Sequence, residues 1–117
     1  MTPDSTLAGQ RIGIVGAGLV GSLLAIHLGR RGATVDVFEK RPDLRRHEIP
    51  GGRTIVMSLS ERGWQALAEV DLDEALRPAT LPKESRAVHD GSGTLHVQPY
   101  GADGQAIWTV DRKQLNC

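Results

Sequence analysis

The sequence contains one cysteine, Cys117, at its last position. No internal disulfide and no cysteine metal site can form from it, and a reducing, cytoplasmic setting is the expected default. Aromatic residues are also scarce, and the four present, Phe38, Trp64, Tyr100 and Trp108, are too few for a base-stacking platform. Charge of one sign is missing too: 14 Lys and Arg cancel 14 Asp and Glu, leaving no electrostatic case for nucleic acid or an anionic membrane. No apolar run approaches the ~20 residues of a membrane helix, and the polar lead-in is too short for a signal peptide. Internal repeats and low-complexity tracts are absent. The histidines His27, His47, His89 and His96 do not cluster with carboxylates at ligand spacing, so no metal site is expected. There is no G-x-S-x-G and no P-loop, and no catalytic residue is assigned.

What the sequence does have is glycine, 14 in all. Those that matter most lie in QRIGIVGAGLVGSLLAIHLGRRGATVDVFEKR, from Gln10 to Arg41. The apolar run Ile12–Val15 reads as a buried parallel strand. Gly16, Gly18 and Gly21 then match G-x-G-x-x-G, a helical apolar pattern follows from Leu19, and Thr34–Phe38 reads as a second strand closed by Glu39. Each part has a physical task. Gly16 permits a sharp turn, Gly18 leaves bare backbone for a pyrophosphate, and Gly21 lets the helix lie close on the strand. The helix start offers free N–H groups to phosphate. Glu39 stands about 20 residues beyond the glycines, where a carboxylate can accept from a ribose 2′-hydroxyl. A dinucleotide site follows. The carboxylate argues against NADP, with Lys40 and Arg41 softening that argument. NAD and FAD are not separated by the glycines.

Beyond Arg41 the chain loses periodicity and reads as a loop carrying Arg45 and Arg46. A short apolar piece, Gly52–Met57, precedes a predicted capping box at Ser58 and Glu61 and a helix with Trp64, Leu67, Ala68 and Val70 on its core side. A shorter helix over Asp71–Leu76 is expected to stop before Pro78. Arg86–His89 and Thr94–Gln98 read as strands joined by the turn Asp90-Gly91-Ser92-Gly93, which would set His89 opposite His96 as a surface pair. Ala106–Val110 reads as a further strand, and Asp111 to Gln114 opens a last helix. The fold class expected is α/β: a Rossmann-like FAD/NAD(P)-binding fold with a β-hairpin insertion. Residues 1–117 are expected to form the incomplete N-terminal part of an FAD-binding domain, since only two of the parallel strands such a domain uses are visible.

GAGLVGS with VFEKR, GGRTIVMSLSERGWQAL, SRAVHDGSGTLHVQPYG and WTVDRKQLN together resemble the flavin-dependent aromatic hydroxylases, and among them the branch acting on kynurenine. The resemblance runs in order from Ile12 to Asn116. It implies FAD held by Gly16, Gly18, Val20, Gly21, Phe38, Glu39, Lys40 and Arg41, with Arg53, Ser58 and Arg112 also near the cofactor. It implies that Arg86 and Tyr100 hold the carboxylate of an aromatic amino acid substrate. NADPH and O2 would be co-substrates, and the product 3-hydroxykynurenine. Where such enzymes read GRSINLALS, this chain has Val56 in place of the asparagine. The second flavin motif, the substrate sheet and the C-terminal helices are missing, so the 117 residues alone are not expected to turn over. The alternatives carried forward are a fragment of an NAD-dependent dehydrogenase and a non-catalytic nucleotide-binding remnant.

Overall fold

A computed structural model describes residues 5–47 and 56–116. The chain divides into two compact units, Met1–Arg53 with Leu115–Cys117, and Thr54–Gln114.

In the first unit, β1 (Arg11–Val15) and β2 (Thr34–Phe38) pair in parallel, with Arg11 opposite Thr34 and Val15 opposite Phe38. The connection is α1 (Leu19–Arg30). Parallel neighbours need such a crossover, so strand, helix and strand form one unit. The helix ends where Gly32 takes φ +91°, and the Gly32 and Ala33 N–H groups bond back to the Gly29 and Leu28 carbonyls. A left-handed glycine closing a helix in this way satisfies carbonyls that would otherwise be left open. Ile14 is the buried residue of β1, whereas α1 buries none of its residues fully.

The second unit holds β3 (Val56–Leu59), α2 (Glu61–Ala68), α3 (Asp73–Leu76), β4 (Thr80–Lys83), β5 (Ser85–His89), β6 (Leu95–Pro99) and β7 (Ile107–Asp111). A helix α4 (Arg112–Asn116) follows directly on β7. Strands β3, β7 and β4 form an antiparallel sheet in that order, and β5 and β6 form a separate hairpin. The core comprises Trp64, Leu67, Val70 and Val110. Val70 and Val110 are only 1% exposed, and full burial of such side chains contributes about 1.5–3 kcal/mol each. Trp64 meets Trp108 edge-on with ring centres 5.7 Å apart, and the Arg77 guanidinium lies 4.6 Å from the Trp64 ring centre.

Ser58 does not cap a helix: it sits in β3 opposite Thr109, and Ser60 takes the cap position without a side-chain bond. Pairing with β7 draws the strand two residues further than the capping-box pattern suggests. Ala68 is exposed rather than on the core side. The shorter helix, α3, ends at Leu76, before Pro78 as expected, but begins at Asp73 rather than Asp71, and a 3-10 turn, Arg77–Ala79, follows it, whose first positions accept proline. The strand β4 goes beyond the sequence expectations; Pro82 is tolerated there because β4 is an edge strand, bonded among the described strands to β7 alone. His89 pairs with Leu95, and His96 with Val88, so the two histidines are not opposite one another. His96 instead places Nε2 2.9 Å from the Asp90 carboxylate.

Candidate dinucleotide site

The glycine loop lies between the end of β1 and the start of α1. Its first residue, Gly16, has φ +102°, a conformation that L side chains rarely adopt, and its N–H extends the β1–β2 ladder to the Phe38 carbonyl at 2.7 Å. Gly18 is the residue before α1, extended at φ −75° and ψ −175°, and no side chain caps the helix. The first amides of α1 therefore lack the partner a capping side chain would give them. A Cβ on Gly18 would meet nothing within 4 Å, so the space beside that backbone is open. A Cβ on Gly21 would land on the Gly16 carbonyl oxygen, so the helix can lie this close only because the residue is glycine. Bare backbone, an open space and uncapped amides make a surface that fits a diphosphate.

Glu39 reaches back across this loop. Its Oε2 accepts the Ala17 N–H at 2.8 Å, and its Oε1 accepts the Arg41 N–H at 2.8 Å and Nε–H at 3.0 Å. Arg41, through its side chain and then its backbone N–H, and after them the Ala17 N–H, hold the Glu39 carboxyl down to about 2. At neutral pH it is therefore ionised and acts only as an acceptor, as the recognition of sugar hydroxyls requires. The next two arginines of the loop are turned onto Asp43: Arg45 pairs with it at 2.8 Å and Arg46 approaches at 4.0 Å.

The Ala17 peptide is gripped on its other side as well. Its carbonyl accepts from Ser22 Oγ at 3.2 Å and from Asn116 Nδ2 at 3.1 Å. Neither residue was singled out from the sequence, since Ala17 is one of the unspecified positions of the glycine motif. Asn116 closes the last stretch that carried the resemblance, and that was the only available signal.

Eight of the expected cofactor residues, Gly16, Gly18, Val20, Gly21, Phe38, Glu39, Lys40 and Arg41, gather in the first unit. Val20 and Phe38 are well exposed. Arg53 lies outside the described residues. Ser58, on β3, and Arg112, the first residue of α4, belong to the second unit and are exposed. Val56, which stands where the aromatic hydroxylases carry an asparagine, is also exposed, and it pairs with Asp111.

Arg86 and Tyr100 are both carried by the β5–β6 hairpin. Arg86 pairs with Gln98, and the Tyr100 N–H continues the ladder to the Glu84 carbonyl at 2.8 Å. Strand alternation therefore puts Arg86, Gln98 and Tyr100 on one face. Gln98 Oε1 accepts the Arg86 Nε–H at 2.9 Å, leaving the terminal nitrogens of the guanidinium to present a fork. Gln98 was missed in the sequence because a polar residue in an exposed strand carries no signal of its own.

Among the described residues no group of three or more His, Cys, Asp and Glu could hold a metal, and no helix is long and apolar enough to cross a membrane.

The family of NAD(P)-binding Rossmann-like domains matches residues 14–69. Kynurenine 3-monooxygenase of Myxococcus xanthus is 50% identical over 88% of this chain, and that of Anopheles gambiae 48% identical over 90%. The chain spans 22% of the length of each of these relatives. In solved structures its fold is found in p-nitrophenol 4-monooxygenase of Pseudomonas putida, with a TM-score of 0.72 at 21% identity over 95% of this chain and 28% of that one. By sequence, then, the chain is similar to part of the kynurenine 3-monooxygenases.

Proposed function

We propose that this chain provides the adenosine- and diphosphate-binding part of an FAD site, and one wall of a substrate site, in a monooxygenase that hydroxylates kynurenine to 3-hydroxykynurenine with NADPH and O2. The observation that carries the reading is the Glu39 carboxylate, ionised and held beside the open backbone of the glycine loop. Gly16, Gly18, Val20 and Gly21 would take the diphosphate, Glu39 the ribose hydroxyls, and Phe38, Lys40 and Arg41 the adenosine side. Arg53, Ser58 and Arg112 are proposed to complete the flavin environment. Bound FAD would supply the redox chemistry and the activation of O2. The protein's task is to orient the substrate and exclude water. Arg86 and Tyr100 suit that task, since a guanidinium fork and a phenol on one face can grip an amino-acid carboxylate.

The test is to purify a polypeptide carrying this sequence and titrate it with FAD. A saturable, FAD-dependent rise in melting temperature that Glu39→Ala removes is the expected result, because a ligand that binds the native state must stabilise it. Binding of NADH with no binding of FAD would favour the nicotinamide dehydrogenase reading. Kynurenine-dependent NADPH oxidation by the flavin-loaded full-length enzyme tests the substrate assignment.

A further inference from the structure

We propose that Asn116 is a positioning residue for the glycine loop, fixing the Ala17–Gly18 peptide so that the Gly18 N–H faces a bound diphosphate. The inference rests on the dinucleotide reading above and deepens it.

The peptide joining Ala17 to Gly18 lies between two glycine positions, Gly16 at φ +102° and Gly18 itself, which has no Cβ to hinder rotation. Left alone, such a peptide turns over easily. Here its carbonyl is fixed by two donors, Asn116 Nδ2 at 3.1 Å and Ser22 Oγ at 3.2 Å. The carbonyl and the N–H of one trans peptide point in opposite directions. Clamping the Ala17 carbonyl therefore aims the Gly18 N–H the other way. On the preceding peptide, Glu39 holds the Ala17 N–H at 2.8 Å, so the loop is gripped at two successive peptides.

The amide of Asn116 has its orientation dictated by chemistry, because a carbonyl accepts and only the NH2 end can donate to it. That leaves Asn116 Oδ1 buried without a partner among the described residues. A side chain present only to pack would do better apolar, since an unpaired buried acceptor is unfavourable. The orphaned oxygen is thus the cost of delivering the donor to Ala17. Ser22 sits on the first turn of α1 and is itself tied into the helix by its N–H to the Gly18 carbonyl at 2.9 Å, so it reinforces the same carbonyl from within the loop's own helix.

The experiment titrates the 117-residue chain with ADP and with adenosine, following 15N amide shifts, for wild type, Asn116→Leu, Ser22→Ala and the double variant. Asn116→Leu is expected to weaken ADP binding about five- to tenfold, the effect of one lost hydrogen bond, and to leave adenosine, which has no diphosphate, unaffected. The double variant should lose less than the product of the two single effects, because both donors serve one carbonyl. Equal ADP affinity in wild type and Asn116→Leu overturns the inference, and so does a parallel loss of ADP and adenosine, which marks a merely structural role. If Asn116→Leu does not fold, Ser22→Ala decides: it must weaken ADP selectively, and unchanged ADP affinity overturns the inference. A folded wild-type chain that binds neither nucleotide overturns the dinucleotide reading itself, an outcome distinct from the others.

Discussion

The Glu39 carboxylate and the Ala17 amide, 22 residues apart in sequence, meet at 2.8 Å. The contact ties the end of β2 to the glycine loop and makes the loop sensitive to acid. Hydrogen bonding lowers the Glu39 pKa from its ordinary 4.5 to about 2. A carboxyl whose pKa falls on folding adds stability that is complete above its unfolded value and disappears as the pH falls through its folded value. The gap in melting temperature between wild type and Glu39→Gln should therefore be largest above pH 4.5 and close as the pH approaches 2. Thermal denaturation across that range checks it.

Gly18 and Gly21 should respond differently to the same added methyl. Gly21→Ala drives a Cβ into the Gly16 carbonyl, and overpacking of this kind costs about 1–3 kcal/mol. Gly18→Ala meets nothing and its backbone is extended, so stability should change little. Its methyl would occupy the space proposed for the diphosphate, and FAD affinity should fall. Melting curves with and without FAD separate the two effects.

Trp64 is 6% exposed, and Trp64→Ala should destabilise the second unit by about 3–5 kcal/mol. Arg77→Ala removes a cation from over the Trp64 and Trp108 rings and should cost only about 0.5–1 kcal/mol. Urea denaturation followed by tryptophan fluorescence measures both.

In the flavin-loaded full-length enzyme, Gln98→Leu should raise the KM for kynurenine more than it lowers kcat. Gln98 holds the Arg86 guanidinium by its Nε–H and touches no reacting atom in the proposed scheme. Steady-state kinetics with kynurenine, alongside Arg86→Ala as the larger loss, provides the comparison.

The strand–loop–helix–strand of the first unit was readable from sequence because each part has a local cause. A buried apolar run, three glycines with separate steric tasks and a terminal carboxylate stand at set spacing, and β2 was found with its limits unchanged. Ser58 was misread for the opposite reason. Its capping pattern is local, but pairing with Thr109, distant in sequence, decides its state. The strand β4 was hidden by Pro82, which only an edge position allows. Asn116 was invisible as a neighbour of Ala17, since 99 residues separate them and no periodicity reports such a contact.

The hairpin β5–β6 has a bearing on how the polypeptide must be handled. Along β6, Leu95 and Val97 are largely open to solvent, and β6 bonds to β5 alone among the described strands. An open strand margin bearing aliphatic side chains invites another copy to add itself by main-chain bonding. Preparations of the isolated chain should therefore grow in particle size with concentration, and a lysine substituted for Val97 is the remedy to try before any ligand titration.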